Sequence, residues 1–264
     1  MEGGAVSTGM LETLERVERS LAEAATLDGK IDYAVSLLSA LGFTSIVYDY
    51  SPVATSHEGE LLTPSHLSLR NVPDDMRHLW CDRGYYQRDP VQHMALRSTL
   101  PFIWSYRRNQ DETALAGYLS DEHQPVASYL RDADLTCGVT VPIHRTRGDM
   151  ATFTAIRRGA RKDFVRDARH HLADFGLVGQ MFHEHAYPML SEKEKSAAPV
   201  RLTPRERECL LYSAEGLTAK EIAHRLGRAV PTVTLHINTA IRKLGARNRL
   251  HAVILANHYR LLEA

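Results

Sequence analysis

Residues 202–262 read LTPRERECLLYSAEGLTAKEIAHRLGRAVPTVTLHINTAIRKLGARNRLHAVILANHYRLL, and turn signals divide them into four short helices. Thr203, followed by Pro204 and Glu206, is a capping box with proline at the first helical position, where its missing N–H is not needed. That helix carries Leu210 and Leu211 inward and stops near Gly216. Thr218 with Glu221 opens the second, whose apolar face is Ile222, Ala223 and Leu226; Gly227 ends it by supplying a left-handed residue. The third spans 230–244, with Val233, Ile237, Ala240, Ile241 and Leu244 as its buried stripe. Thr232, Thr234, His236, Asn238, Arg242 and Lys243 stay outside, and such donors and acceptors suit base edges and phosphates in a major groove. A fourth helix over 249–262 offers Ala252, Val253, Ala256 and Tyr259 as a packing or dimer stripe. One local rule is broken. Ala229 stands where a Ser would cap the third helix, at a cost of about 1 kcal/mol.

Capped helices with polar faces occur in any small bundle, so charge has to be weighed too. Residues 201–264 hold 11 Lys and Arg against 5 Asp and Glu, a net +6, while residues 1–200 hold 21 against 27, a net −6. The formal charge of zero therefore conceals a basic module joined to an acidic one, the pattern of a polyanion-binding tail on a regulatory domain. A length of 264 residues accommodates two domains, and 44% hydrophobic with 24% charged residues is ordinary globular composition. Cys81, Cys137 and Cys209 are widely spaced and form no CxxC, which points to reduced thiols. No apolar run approaches a membrane span, and MEGGAVSTGMLE lacks a basic region followed by an apolar stretch. A cytoplasmic protein without a membrane partner is expected.

Upstream of the tail, residues 9–26 show helical spacing, Asp28 can cap a second helix ending at Gly42, and 43–50 (FTSIVYDY) reads as a strand. Residues 66–70 form a second strand, 74–83 and 125–133 short helices, and 101–104 a strand or extended segment. The clearest hairpin joins 137–144 to 150–157. Phe164, Ala168, Leu172, Phe175, Val178 and Phe182 then recur at helical spacing over 162–184. Helices, strands and helices in this order predict an α+β fold, a mixed sheet covered by helices. The polar stretch 187–200 (YPMLSEKEKSAAPV) reads as a linker. On the hairpin Thr140 faces away from Val139, Val141 and Ile143, while Thr152 and Thr154 share one face of the partner strand. Those threonines either line a pocket or reflect β-propensity on a solvated face.

The tail resembles the C-terminal domain of LuxR-type transcription regulators. Glu206, Gly216, Glu221, Ile222, Ala223, Leu226, Thr232, Val233, His236, Lys243 and Leu244 carry the likeness; Ala229, Thr234 and Arg260 depart from the usual Ser, Lys and Gly. Upstream, WCDRGYYQRDPVQ followed by LPFIW resembles the autoinducer-binding domain of quorum-sensing members, with Asp89, Pro90 and Trp104 at its characteristic spacing. Gly138, Thr140 and Pro142 in CGVTVPIH, and the RGDMATFTAI partner, also fit. The resemblance implies an α-β-α sandwich ligand-binding domain over 1–186, a linker at 187–200 and an all-α helix-turn-helix domain over 201–264.

Two departures bear on the ligand. Where acyl-homoserine-lactone receptors carry a Trp and a Tyr, this chain has Met76 and Trp80. Met cannot donate a hydrogen bond, so a buried lactone carbonyl would lose a partner at about 1–3 kcal/mol. The pair resembles the unpaired ("solo") LuxR regulators of plant-associated bacteria, which answer low-molecular-weight plant compounds of the ethanolamine type. Alternatively the two residues compensate each other in volume and lactone specificity survives. A buried Asp89 would need a donor, which a ligand amide or amine supplies. The expected ligand-binding residues are Tyr48, Met76, Trp80, Tyr85, Asp89, Val91, Trp104, Thr140, Thr152 and Thr154. The expected DNA-binding residues are Thr218, Lys220, Thr232, Thr234, His236, Asn238, Arg242 and Lys243.

Competing chemistry finds little support. His183 and His185 at i, i+2 point to different sides of a helix, His170 and His171 are adjacent, and neither pair suits shared metal ligation. No phosphate loop, Ser-His-Asp spacing or receiver-type acidic pair is present. The expectation is a regulator, not an enzyme, with no catalytic residue, metal or cofactor. Its partners are a small-molecule signal, a palindromic double-stranded DNA site, a second copy of itself and RNA polymerase.

Overall fold

The computed structural model describes residues 4–107, 113–145, 148–159, 163–196 and 200–262, with side chains from Thr13 onward. The chain divides into two compact units, one comprising 1–54 and 60–195, the other 55–59 and 196–264.

In the first unit α1 (Gly4–Glu23) and α2 (Leu27–Ser39) lead into β1 (Phe43–Ser51), which pairs antiparallel with β2 (His66–Arg70). The cap of α2 is Thr26, not Asp28: its hydroxyl accepts from the Gly29 N–H at 3.1 Å. Asp28 sits one position inside the helix, where its charge favours the positive end of the dipole. Next come α3 (Met76–Cys81), α4 (Pro90–Ala95) and β3 (Phe102–Ser105). Helix α5 (Gln124–Asp132) then precedes the hairpin of β4 (Cys137–His144) and β5 (Met150–Arg157). The strands form one antiparallel sheet in the order β2-β1-β5-β4-β3.

Helix α4 is too short for its periodicity to show. Its signal is local: Asp89 caps it, accepting from the Val91 N–H at 2.9 Å, and Pro90 fills the first helical position. The single helix expected over 162–184 is two, α6 (Phe164–His170) and α7 (Leu172–Ala186), broken where His171 takes φ −103° and ψ 12°. The apolar stripe keeps its phase across the break, so spacing does not reveal it. The expected linker also begins later than 187. Leu190 is buried, α8 (Glu192–Lys195) follows, and Ser65 donates to the Glu194 carbonyl at 2.6 Å. Residues 187–195 thus belong to the sensor unit.

Strand alternation gives the sheet two apolar faces. Ile46, Tyr48 and Tyr50 of β1, Val139 and Val141 of β4 and Phe153 of β5 pack with α1, α2, α6 and α7. Val47, Trp104 and Ile156 face the other way, against Met76, Trp80, Tyr86, Val91 and Leu130. Gly138 makes room for this second layer, since a Cβ there would lie 2.5 Å from Trp104 Cζ2 and 2.6 Å from the Ala155 carbonyl.

The second unit contains α9 (Pro204–Ala214), α10 (Ala219–Leu226), α11 (Val230–Lys243) and α12 (Arg249–His258). Both capping boxes form: the Thr203 N–H donates to Glu206 at 2.8 Å and the Thr218 N–H to Glu221 at 2.7 Å. Gly227 ends α10 at φ 61°. Helix α12 stops four residues before the expected 262, closed by Arg260 at φ 55° and a 2.8 Å bond from the Leu261 N–H to the Ala256 carbonyl. Among the described residues no helix is long and apolar enough to cross a membrane, and no group of three metal-ligating side chains occurs.

Candidate functional site

On the α3–α5 side of the sheet lies a small cavity of about 20 Å³. Its apolar walls are Val47, Met76, Val91, Leu130 and Ile156; Trp80 and Trp104 add aromatic faces, and Asp89, Gln92, Tyr106 and Thr154 bring polar groups. Apolar walls with a few convergent polar groups are the usual make-up of a small-molecule site.

Asp89 organises this cavity. The residue is 6% exposed, and three neutral donors hold its carboxylate: Tyr106 Oη at 2.8 Å and Val91 N at 2.9 Å on Oδ1, and Trp80 Nε1 at 3.2 Å on Oδ2. Burial raises its pKa, against those hydrogen bonds. Next to it Trp104 Nε1 donates to Thr140 Oγ1 at 2.9 Å, and that hydroxyl pairs with Thr154 Oγ1 at 2.9 Å. Two strands and one indole are thereby locked together, and Thr154 stays in the wall.

The structure brings Met76, Trp80, Asp89, Val91, Trp104 and Thr154 together around the cavity. Thr140 stands one hydrogen bond behind them. Thr152 shares their face of β5 but donates to Asp49, and Tyr85 lies at the outer side of Trp80, ring centroids 5.6 Å apart. Tyr48 has to be corrected. Its parity on β1 turns it to the opposite face of the sheet, where it packs edge-on to Phe182 and its hydroxyl meets His183 Nδ1 at 3.0 Å.

Asp49, Gln92 and Tyr106 escaped the sequence reading. Asp49 is 1% exposed and accepts from Tyr86 Oη at 2.8 Å, Gln92 Nε2 at 3.2 Å and the Thr152 hydroxyl. Burial pushes its carboxyl up to about 6 in spite of these donors. Only Tyr106 left a usable signal, lying two residues past Trp104 on the same side of an extended segment. A larger groove of about 660 Å³ lies by Gly42, Arg157 and Arg166. Its arginines pair with acids of their own surface, Arg157 with Asp167 at 3.7 Å and Arg166 with Asp163 at 3.3 Å. The cavity beside Asp89, with its apolar walls and unpaired carboxylate, is the better small-molecule candidate.

Residues 26–186 match the autoinducer binding domain, and residues 200–256 match the luxR family of bacterial regulatory proteins. The chain belongs to the LuxR family of transcription regulators. It is 30% identical over 242 residues to the transcriptional activator BjaR1 of Bradyrhizobium diazoefficiens, covering 88% of this chain and 90% of that one. With the quorum sensing-dependent regulator RpaR of Rhodopseudomonas palustris it shares 31% over 250 residues, covering 93% and 91%. Among solved structures Escherichia coli SdiA aligns with a TM-score of 0.65 at 17% identity, over 97% of this chain and 100% of that one. CepR2 of Burkholderia cenocepacia gives 0.52 at 16%, over 68% and 96%. At these identities the structures speak to the fold alone. The family is one of transcription regulators, not of enzymes.

In this LuxR-type tail Thr232, Thr234, Asn238 and Arg242 are exposed on α11, and His236 is half-exposed. Thr218 and Lys220 are exposed at the start of α10, with the Thr218 side chain engaged in the cap. Lys243 is different: its Nζ bonds buried Glu206 at 2.7 Å and the Arg201 carbonyl at 3.3 Å. Burial opposes the charge on Glu206, but the bonds from Lys243 and Thr203 outweigh it and lower its pKa. Lys243 therefore joins α11 to α9 rather than standing free for phosphate. Leu235, 59% exposed on α11, went unnoticed because an apolar residue off the buried stripe has no spacing signal.

Proposed function

We propose that this chain is a signal-responsive transcription regulator, acting as an activator, whose sensor cavity takes a small amide- or amine-type molecule of the kind plants release. The observation that carries this reading is the polarity of the cavity wall. Asp89 presents acceptors, whereas Met76 offers no donor for a lactone carbonyl. SdiA, a neighbour in fold, has been solved with octanoyl-rac-glycerol, a ligand without a lactone ring. Ligand would favour the competent state by its differential affinity for it. A cytoplasmic homodimer would then present two α11 helices to a palindromic site, with Thr232, Thr234, His236, Asn238 and Arg242 toward base edges and phosphates and Thr218 and Lys220 on the backbone. Leu235 would suit a thymine methyl, and bound dimer would engage RNA polymerase.

A second reading, an acyl-homoserine-lactone receptor, rests on Trp80 Nε1 and Tyr106 Oη, two donors at the cavity that could turn to a lactone. CepR2, of the same fold, is described as N-acylhomoserine-lactone dependent. Melting curves of the full chain with acyl-homoserine lactones and with matched acyl-ethanolamides separate the two. The proposal expects the larger rise in Tm from the amides. A rise with lactones alone would establish the second reading.

A further inference from the structure

We propose that α11 selects its DNA site by thymine methyl groups, with Leu235 as the residue that meets them and Asn238 as the reader of a neighbouring adenine. The inference rests on reading α11 as the helix that enters the major groove, and it adds which bases each half-site presents. Leu235 is 59% exposed, more than any other large apolar side chain of this helix. At ~100° per residue it points roughly opposite the buried stripe of Val233, Ile237 and Ala240. Pro231, Asn238, Thr239 and Arg242 lie within about 60° of it, so a leucine occupies the middle of the outward face. In a major groove that leucine leaves water favourably only against apolar surface, and the base edges offer one such group, the C5-methyl of thymine. Val230, the other exposed large apolar side chain of α11, lies about 140° round the helix. Leu235 therefore heads no apolar patch of the size a protein partner covers.

The side chains around it favour A·T pairs as well. The Thr234 hydroxyl donates to the Val230 carbonyl at 3.0 Å and that of Thr239 to the Leu235 carbonyl at 2.9 Å, so both protons are spent within the helix. No Lys or Arg occurs in α11 before Arg242, and Lys243 is held by Glu206 at 2.7 Å. The base-reading turns thus lack the long cationic donors that grip O6 and N7 of guanine. Asn238 makes no hydrogen bond to the described residues, and its amide matches N6 and N7 of adenine. Leu235 and Asn238 stand at i and i+3, about 5–6 Å apart at Cβ. Successive base pairs rise by about 3.4 Å, so the two side chains reach the same base pair or the next one. A thymine and an adenine at that spacing satisfy both. Arg242 and the net +6 of residues 201–264 supply the attraction to phosphates.

Replacing thymine by uracil removes the methyl and leaves every hydrogen-bonding group in place. The full chain first selects duplexes from a random pool at low salt, alone and with an acyl-ethanolamide or an acyl-homoserine lactone. Each thymine of the enriched site is then exchanged singly for deoxyuridine and the affinity measured. At least one symmetry-related pair of thymines should lose about fourfold per half-site, and on the order of fifteenfold when both are exchanged. Leu235→Ala should keep the native Tm and bind the thymine and uracil duplexes equally. Leu235→Met, which keeps the apolar bulk, should restore the preference for thymine. An enriched site in which no thymine is sensitive overturns the proposal and leaves DNA binding in place. A sensitivity that persists in Leu235→Ala overturns it too, because another side chain then meets the methyl. If Leu235→Ala binds both duplexes as tightly as the native chain binds thymine, Leu235 serves a protein partner and the proposal falls. Enrichment of no sequence under any of the three conditions removes this proposal and the DNA-reading function together.

Discussion

Asp49 shows how one side chain links fold and pH. Its carboxyl titrates near 6 in the folded chain, against about 3.9 unfolded, because burial disfavours the charged form. The folded state holds the proton more tightly, so stability falls as pH rises from about 4 to 6 and is level above. Asp49→Asn should remove a slope on the order of 2–3 kcal/mol across that window, measured as the difference in unfolding free energy between pH 4 and pH 7. An identical pH dependence in native chain and variant would rule out this assignment. Gly138→Ala is the steric counterpart: its Cβ would meet Trp104 at 2.5 Å and the Ala155 carbonyl at 2.6 Å. We expect a loss of about 2–3 kcal/mol in denaturant unfolding. At this scale sequence shows parity and chemistry but not meetings. Asp89, Trp80 and Trp104 were legible as a cluster through the resemblance to the autoinducer-binding domain; Asp49 and Gln92 were not, since their pairing joins a strand to a helix 43 positions away. Tyr48 belongs to the other layer because its parity on β1 turns it toward Phe182 and His183.

The starts of the tail's helices were legible to the residue because caps are local chemistry. Their weak points are legible for the same reason. Ala229 stands at the N-cap of α11 with no side-chain bond, so Ala229→Ser should add about 0.5–1 kcal/mol to the stability of this unit. Arg260 occupies a left-handed position at φ 55°, where glycine has no Cβ to crowd, and Arg260→Gly should gain about 1 kcal/mol by relieving that strain. Thermal melts of the two variants check both; a fall in Tm in either would show that the end concerned is held by something else. Neighbouring basic residues on α11 should also separate. Arg242→Ala should weaken DNA binding and lower the slope of log K against log salt by about 1. Lys243→Ala should leave that slope nearly unchanged and cost about 1–2 kcal/mol of stability, because Glu206 loses its cation. Salt titrations of both variants decide the point. The break at His171, the short α4 and the packed residues 187–195 were not legible. Each depends on tertiary contacts or lies below the length at which periodicity speaks.

Across the whole molecule a basic helical unit reads DNA and an acidic α-β-α unit holds an apolar-walled cavity beside Asp89. Regulation requires that occupancy of the one change the affinity of the other, and a ligand can do so only by binding the competent state more tightly. The division into two units was legible in the charge asymmetry and the motif spacing. Ligand class was less so, because it depends on which donors and acceptors converge in space. The direct measurement is the affinity of the full chain for a palindromic duplex selected by the protein itself, at fixed salt, titrated with an acyl-ethanolamide. The account predicts that DNA affinity rises about tenfold or more over the concentrations that raise Tm, a coupling of at least ~1.4 kcal/mol. An unchanged DNA affinity at concentrations that do raise Tm would contradict it.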